Sequence, residues 1–236
     1  MRKAATREEV FAAARAGDVA AVRRAVIADR AVARLRDRRG RTLLHVAAER
    51  KDVALAKLLL DAGAEVDARD AVGRTPFLLA ARSPAHEFAY LLQRAGADPL
   101  AKDRGGATPL GVARKHWPGL YHSLRAHLPP RPGDRLYRNA DDPEVVLLLG
   151  EDGAFVLRET ETHYFCGPTH RKGERTVLMC PGVMSFEAIV TDDRVTIPAD
   201  NSPWMDADVV YRRALLPRDA GPLVRYPKLP PSRASR

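Results

Sequence analysis

The chain has 236 residues, enough for two ordinary domains that each bury a core. Its 45% hydrophobic content excludes disorder of the whole chain. The formal net charge of +9 is unevenly distributed: residues 1–128 carry 24 Lys and Arg against 14 Asp and Glu, a net +10, whereas residues 135–213 carry 9 against 14, a net −5. We therefore expect electrostatic attraction of an acidic partner to come from the first half.

The composition also bears on cellular location. The N-terminal residues lack the uninterrupted apolar core of a signal peptide, and the longest apolar run, Val145 to Leu149, is far too short to span a bilayer. Two cysteines cannot form a disulfide framework. We expect a cytoplasmic protein with no membrane contact. The excess of arginine over lysine and the scarcity of Ile and Asn suggest a bacterial, GC-rich genome.

A repeat with a period of 33 residues runs through the first half of the chain. Three kinds of residue keep this register: Thr42, Thr75 and Thr108; Gly40, Gly73 and Gly106; and Ala47, Ala80 and Ala113. Threonine before an apolar run is a good N-cap, and proline at the next position suits the first turn of a helix. The pattern predicts first helices near 42–50, 75–82 and 108–115, and second helices near 53–61, 86–94 and 119–127.

The segments GRTLLHVAA, GRTPFLLAA and GATPLGVAR resemble the ankyrin repeat, whose signature includes T-P-L-H-x-A. The resemblance covers roughly residues 6–128 as four units, of which the first is a degenerate cap. It implies an α-solenoid of stacked helix pairs with a concave binding side. Departures from the signature at Leu43, Leu78 and Gly111 bear on stability and local shape rather than on the fold.

The resemblance also implies which side chains face the binding side. They lie at the tips of the hairpin-like loops that precede each first helix, which we call the fingers, and along the outer edge of each first helix. Most of these side chains are cationic, and they are Arg38, Arg39, Arg41, Arg50, Arg69, Arg74, Arg82, Lys102, Arg104 and Lys115. This sign bias predicts an acidic protein partner. Two alternatives stay open: the charges only solvate an exposed face, or they dock the acidic second half of the same chain.

The proline-rich residues 129–134 are typical of a linker, here between an ankyrin repeat domain at 1–128 and a second domain at 135–213. In that second domain, short apolar runs alternate with turn signals, which predicts a small antiparallel β-barrel or sandwich whose order loosely resembles lipocalin-like barrels. Hairpins are predicted with turns at 150–153 and 191–193, and further strands near 162–165, 176–179 and 208–212. The predicted fold class is multidomain α + β.

Four residues with soft metal-ligand side chains lie within 18 positions of the second half: His163, Cys166, His170 and Cys180. Structural zinc sites favour a paired C-x₂₋₄-C spacing, which is missing here. We therefore predict no metal and no cofactor, with buried thiols and surface histidines instead. A Cys166 nucleophile lacks an assignable base and oxyanion donor, so no catalytic residue is predicted. For His45, in the repeat signature, we expect a structural hydrogen bond.

The proline-rich basic tail, 214–236, is expected to be disordered, and Trp117 and Trp204 to be core or cap residues. The leading interpretation of the whole chain is a non-enzymatic protein-interaction module that acts as an adaptor, inhibitor or immunity-type regulator. Nucleic-acid binding through the basic face is an alternative, although interleaved aromatics and a recognised motif are missing. Small-molecule binding or catalysis in the β domain is a second alternative.

Overall fold

The computed structural model describes residues 5–83, 86–159, 164–180, 184–198 and 208–216. They form two compact units: the repeat unit, which ends at Trp117, and the barrel unit, which begins at Pro118. The interpretations that concern His163, Trp204 and the tail beyond residue 216 lie outside the described residues.

The described part of the repeat unit consists of paired helices. They are α1 (Arg7–Ala16), α2 (Val19–Ala28), α3 (Leu43–Arg50), α4 (Val53–Asp61), α5 (Pro76–Ala81), α6 (His86–Arg94) and α7 (Pro109–His116), with a 3₁₀ turn at Arg30–Arg34. The predicted first helices and the predicted second helices near 53–61 and 86–94 are confirmed. The pair α1 and α2 forms the predicted first repeat.

The helix starts follow the predicted capping chemistry. The hydroxyl of Thr75 accepts a hydrogen bond from the backbone N–H of Leu78 at 3.2 Å, and Thr108 does the same for Gly111 at 3.0 Å. Pro76 begins α5, where its missing N–H costs nothing. Such a cap contributes about 1 kcal/mol to helix stability.

Neighbouring repeats pack through their first helices, because α3 contacts α5 and α5 contacts α7. The alanines that keep the repeat register, Ala47, Ala80 and Ala113, are buried along this line. Leu44 and Phe77 are fully buried beside them. Each large apolar side chain contributes about 1.5–3 kcal/mol through burial, so the stack depends on contacts between neighbours.

The fingers between repeats are joined by backbone hydrogen bonds. The N–H of Ala71 donates to the carbonyl of Arg39 at 2.8 Å, and one repeat later the N–H of Arg104 donates to the carbonyl of Val72 at 3.0 Å. Gly73 turns its finger at a φ of 81°. A Cβ at this position would lie 3.1 Å from the backbone nitrogen of Arg104, so both the left-handed conformation and the close approach require glycine.

The barrel unit contains one helix and eight described strands. They are α8 (Pro118–Ala126), β1 (Arg135–Asn139), β2 (Val146–Leu149), β3 (Ala154–Arg158), β4 (Tyr164–Lys172), β5 (Arg175–Cys180), β6 (Met184–Val190), β7 (Arg194–Ile197) and β8 (Val209–Ala214). Each strand pairs antiparallel with the next, and β8 pairs with β1 to close the barrel. A barrel, rather than a sandwich, is therefore the architecture of this unit, and both predicted hairpins are confirmed.

The strand β2 is buried on both faces of the sheet. Leu147 and Leu149 point into the barrel, while Val146 and Leu148 pack outside it against Ala126 at the end of α8. This double burial explains why β2 is a continuous apolar run rather than an alternating one.

Two features of this unit differ from the sequence-based expectation. The helix α8 packs on β3 and β4 within the barrel unit, whereas the repeat register assigned it to the ankyrin domain at 1–128. The strand β1 was not predicted, because its sequence RLYRN has only two apolar residues, Leu136 and Tyr137. Both are buried, one on each face of the sheet.

Candidate functional site

An aspartate at the base of each finger shapes the candidate binding face. One carboxylate oxygen accepts two backbone N–H groups, two and four residues further on, at distances of 2.9–3.0 Å. The three aspartates are Asp37, Asp70 and Asp103. They keep the 33-residue register, so the sequence carried this signal although the prediction did not use it. Without these carboxylates, the amides of each finger would lose their partners.

The electrostatics of Asp37 and Asp70 favour the ionised form. Desolvation by burial acts to raise the pKa of Asp70, but hydrogen bonds from the backbone and side chain of Arg74 and from the backbone of Val72 hold that pKa below its usual value of 3.8. The pKa of Asp37 is lowered in the same way, against desolvation, by hydrogen bonds from Arg41 and Arg39. These two fingers are therefore anchored by permanent negative charges.

A ladder of arginines joins successive fingers. The guanidinium group of Arg36 donates to the carbonyl of Gly40 at 3.2 Å and to that of Arg69 at 2.7 Å. One repeat later, Arg69 donates to the carbonyls of Gly73 and Lys102. Arg69, which was predicted to bind a partner, therefore joins neighbouring repeats through these hydrogen bonds.

Four other predicted partner-binding arginines also have intramolecular contacts. Arg41 lies 3.1 Å from Asp37 and 3.0 Å from Glu49, and Arg74 lies 2.8 Å from Asp70. Two further contacts complete the set: the guanidinium of Arg50 donates to the carbonyl of Arg15, and that of Arg82 lies 3.8 Å from Asp103. These arginines therefore contribute to the shape of the face as well as to its charge.

The remaining predicted residues are exposed, and they are Arg38, Arg39, Lys102, Arg104 and Lys115. Arg38 lies 3.1 Å from Glu8, but the two side chains are 85% and 71% exposed. An ion pair this exposed contributes only about 0–1 kcal/mol, so it can be exchanged for a contact with a partner. Together these side chains are the exposed cations of the face.

Two clefts open on the face that carries these side chains. The first cleft, of about 600 Å³, is lined by Arg7, Glu8, Phe11, Arg15, Asp37, Arg38, Arg39 and Arg41. The second cleft, of about 560 Å³, is lined by Arg82, Gly106, Ala107, Thr108, Gly111, Val112, Lys115, His116 and Trp117. Five arginines oppose two carboxylates in the first cleft, whereas the second combines cations with apolar surface. Arg7 and Arg15 were not predicted, because they belong to the degenerate first repeat.

The predicted histidine of the repeat signature is structural. The Nδ1 atom of His45 lies 3.1 Å from the backbone nitrogen of Thr42, and its Nε2 atom lies 2.9 Å from the carbonyl oxygen of Arg74. Burial lowers the pKa of this imidazole below 6.5. The expectation of a structural hydrogen bond at His45 is confirmed.

The cysteines of the barrel unit lie on opposite sides of the barrel wall. Cys180 is buried in the interior, and Cys166 packs with the outer apolar cluster beneath α8. Burial raises the pKa of Cys180 to about 11. Burial and the nearby thiol of Cys180 raise the pKa of Cys166 to about 12. Thiols of this kind are not nucleophiles at neutral pH. Among the described residues, no three His, Cys, Asp or Glu side chains gather as a metal ion requires.

A cluster of charged residues is buried where α8 meets the barrel. The guanidinium of Arg125 donates to the carboxylate of Asp134, and the carboxylate of Asp152 accepts the hydroxyl of Tyr121 and, at 3.0 Å, the guanidinium of Arg131. The side chains of Arg125 and Asp134 are each only 2% exposed.

The protonation states of this cluster indicate a structural role. Burial raises the pKa of Tyr121, and the neighbouring carboxylate of Asp152 raises it further. Desolvation acts to raise the pKa of Asp152, but hydrogen bonds from Tyr121 and Ala154 and the charges of Arg125 and Arg131 lower it below its usual value. The phenol thus stays protonated and the carboxylate ionised at neutral pH. Neither group is poised for proton transfer.

The comparisons with known proteins agree with the repeat geometry. Residues 10–115 match the family model described as ankyrin repeats, with 3 copies, and no curated protein matches the chain. In the part of the chain that the structure describes, no helix has both the length and the apolar character needed to cross a bilayer. The N-terminal part of the chain is therefore an array of ankyrin repeats, and an eight-stranded antiparallel β-barrel follows it.

Proposed function

We propose that the two clefts of the repeat unit bind an acidic segment of another protein. Ankyrin repeats support protein–protein interaction in general. The observation that carries the finer proposal is the position of the predicted cations: Arg38, Arg39 and Arg41 line the first cleft, and Arg82 and Lys115 line the second. An extended acidic peptide that contacts both clefts would meet positive charge at each end.

The energetics assign different roles to the framework and to the exposed cations. Arg41 and Arg74 are held by carboxylates and so present fixed positive charge. Exposed cations such as Arg39 act mainly on the association rate and on its salt dependence. Affinity needs desolvated anchors, for which the half-buried ring of Trp117 offers apolar surface.

The protein would act by occupying its partner's surface, as an adaptor, an inhibitor or an immunity-type regulator, and not as an enzyme. Apolar side chains such as Leu147, Phe155 and Leu178 pack together inside the described part of the barrel, as in an ordinary hydrophobic core, and this supports the interpretation.

The test is a charge reversal of exposed cations on the face. The variant carries Arg38→Glu, Arg39→Glu and Lys115→Glu, and Arg74 is left intact because a carboxylate there would lie beside Asp70. The probe is a fluorescent glutamate-rich peptide, with association followed by stopped-flow anisotropy. We expect the reversal to slow association by about tenfold or more and to leave the Tm within about 2 °C of the wild type.

The matched control makes the same change in net charge on second helices, with Arg23→Glu, Arg24→Glu and Lys57→Glu, which are all exposed. It should slow association by less than about twofold, through net charge alone. Equal effects of the two variants would contradict a defined site. Tighter binding of random single-stranded RNA than of the peptide, with a steep dependence on salt, would favour nucleic acid instead.

Intramolecular docking of the acidic barrel unit is the remaining alternative, and it has a distinct outcome in the same experiment. If the barrel unit covers the face, lowering the salt should weaken peptide binding by strengthening the internal contact. If the face is free, lowering the salt should strengthen peptide binding.

A further inference from the structure

The closure of the barrel brings three arginines into one row on its outer surface, which we call the arginine row. Arg138 on β1 lies directly opposite Arg212 on β8, and Arg212 lies directly opposite Arg194 on β7. Directly opposed residues of an antiparallel pair point to the same face of the sheet. Since Val210, two residues from Arg212, lies on that face and outside the interior cluster, the row faces outwards.

Such a row is unfavourable for the isolated barrel. The Cβ atoms of directly opposed residues are about 4.5–5.5 Å apart, and like charges at this distance destabilise a sheet. All three arginines are exposed, and the barrel domain as a whole is acidic, with a net charge of −5 over residues 135–213. The concentration of cations is therefore local and opposes the average charge of the domain.

A cleft of about 300 Å³ lies at the row, lined by Asp193, Arg194, Val210, Arg212 and Arg213. Three guanidinium groups thus meet one carboxylate in the lining. The guanidinium carbon of Arg213 lies 5.5 Å from the ring centre of Tyr137, its directly opposed neighbour on β1, so Arg213 lies on the inner side of the sheet while Arg194 and Arg212 lie on the outer side. A volume of this size lies at the lower end of the range for small-ligand sites.

The carboxylate of Asp193 indicates where negative charge is stabilised. A hydrogen bond from the hydroxyl of Thr191 lowers its pKa, against desolvation, and the charges of Arg194 and Arg212 act in the same direction. In the ion pair of this carboxylate with Arg194, Nε of Arg194 lies 3.8 Å from Oδ2 of Asp193. This is longer than a hydrogen bond, so the carboxylate leaves guanidinium donors available to a second anion.

We propose that the arginine row and its cleft bind a compact phosphate-bearing anion. Guanidinium forks match phosphate oxygens in pairs, and a polyphosphate offers several charges to several forks at once. The acidic surroundings favour a compact anion over an extended one, because a long polynucleotide or acidic peptide leaving the cleft would meet Asp141, Asp142 and Glu144 in the β1–β2 loop or Asp192 in the β6–β7 turn.

The test is isothermal titration of the full chain with inorganic pyrophosphate. We expect saturable binding of one anion, weakened at least about tenfold in Arg212→Gln, since the central guanidinium of the row is lost. Asp193→Asn should tighten binding severalfold, because the competing carboxylate is removed. Arg171→Gln, an exposed arginine of β4, removes the same charge elsewhere on the barrel and should change the affinity by less than about twofold.

The basic clefts of the repeat unit are a second place where pyrophosphate could bind, and the variant with Arg38→Glu, Arg39→Glu and Lys115→Glu separates the two. It should leave the Arg212-dependent binding unchanged. Binding that is lost in this variant but kept in Arg212→Gln would overturn the proposal, and so would the absence of saturable binding. Arg212-dependent binding of oligouridine or of the glutamate-rich peptide much tighter than that of pyrophosphate would overturn it in favour of an extended partner.

Discussion

The two units of this protein use arginine in opposite ways. In the repeat unit, Arg36 and Arg69 bind backbone carbonyls in successive fingers, and the same contact recurs 33 residues later at the surface. In the barrel unit, Arg125 is buried and bound to carboxylates in an arrangement that has no repeat among the described residues. Repetition distributes stability over many small and similar contacts, whereas a single buried cluster concentrates it in one place.

The largest expected effect comes from breaking the buried cluster with Arg125→Met. This change leaves the carboxylate of Asp134 buried without its cation and removes one of the two positive charges near Asp152, which costs about 3–5 kcal/mol. Urea unfolding followed by circular dichroism measures it. As a control, Arg131→Gln removes a side chain that is 41% exposed, and should cost less than about 1 kcal/mol.

A companion variant sharpens this comparison. Arg125→Met combined with Asp134→Leu replaces a buried ion pair by apolar side chains, and we expect it to recover part of the lost stability. If the single change costs as little as a surface substitution, the cluster does not hold α8 on the barrel.

An intermediate effect is expected at His45, which joins two repeats through the carbonyl of Arg74. His45→Leu leaves the amide of Thr42 without its partner and leaves the carbonyl of Arg74 with only the backbone N–H of Asp70, and it should cost about 1–3 kcal/mol. Hydrogen exchange of the α3 amides measures it. His116→Leu, an exposed position on α7, should change stability by less than about 0.5 kcal/mol.

The same histidine makes the stability of the repeats depend on pH. Because burial lowers the pKa of His45 below 6.5, the unfolded chain takes up the proton more readily than the folded one. Stability is therefore present above pH 6.5 and is lost as the pH falls from 6.5 through the lower pKa of the folded state. The α3 amides of His45→Leu should lack this step, and an unchanged pH profile in the variant would contradict the assignment.

The smallest effect is expected in the arginine ladder, where Arg69→Gln should cost about 0.5–1.5 kcal/mol. The finger-to-finger backbone bond between Arg104 and Val72 remains in this variant, so the stack is not interrupted. Arg36→Gln should have a similar effect, since it removes the same contact one repeat earlier. A difference of several kcal/mol between the two would show that the rungs of the ladder are not equivalent.

The repeat unit could be predicted from the sequence because its structure is local and recurs. Helix starts at Thr75 and Thr108 and tight turns at Gly40 and Gly73 each require a particular residue type, and the 33-residue register repeats that requirement. The finger aspartates, such as Asp70, carried the same register. The division of roles among the arginines could not be predicted, because it depends on which carbonyl or carboxylate each guanidinium reaches.

In the barrel unit, both hairpins and the strands near 176–179 and 208–212 could be predicted, because each is a short apolar run bounded by turn signals, and the latter two correspond to β5 and β8. The strand β4 contains Gly167 and Pro168 and ends in charged residues, so its nine-residue length has little signal in the sequence. The arginine row depends on the pairing of β8 with β1, two strands far apart in the chain. The helix α8 has an apolar stripe that would suit either a repeat neighbour or the barrel wall, and the sequence alone does not distinguish these partners.

The double burial of β2 has a consequence for synthesis of the chain on the ribosome. Its run of apolar residues, Val146–Leu149, is the kind of segment that pairs with other chains when it is exposed. The helix that covers its outer face, α8, precedes it in the sequence and so leaves the ribosome first. The segment that covers this strand has therefore already left the ribosome when the strand emerges, and this order shortens the time for which the apolar run is exposed.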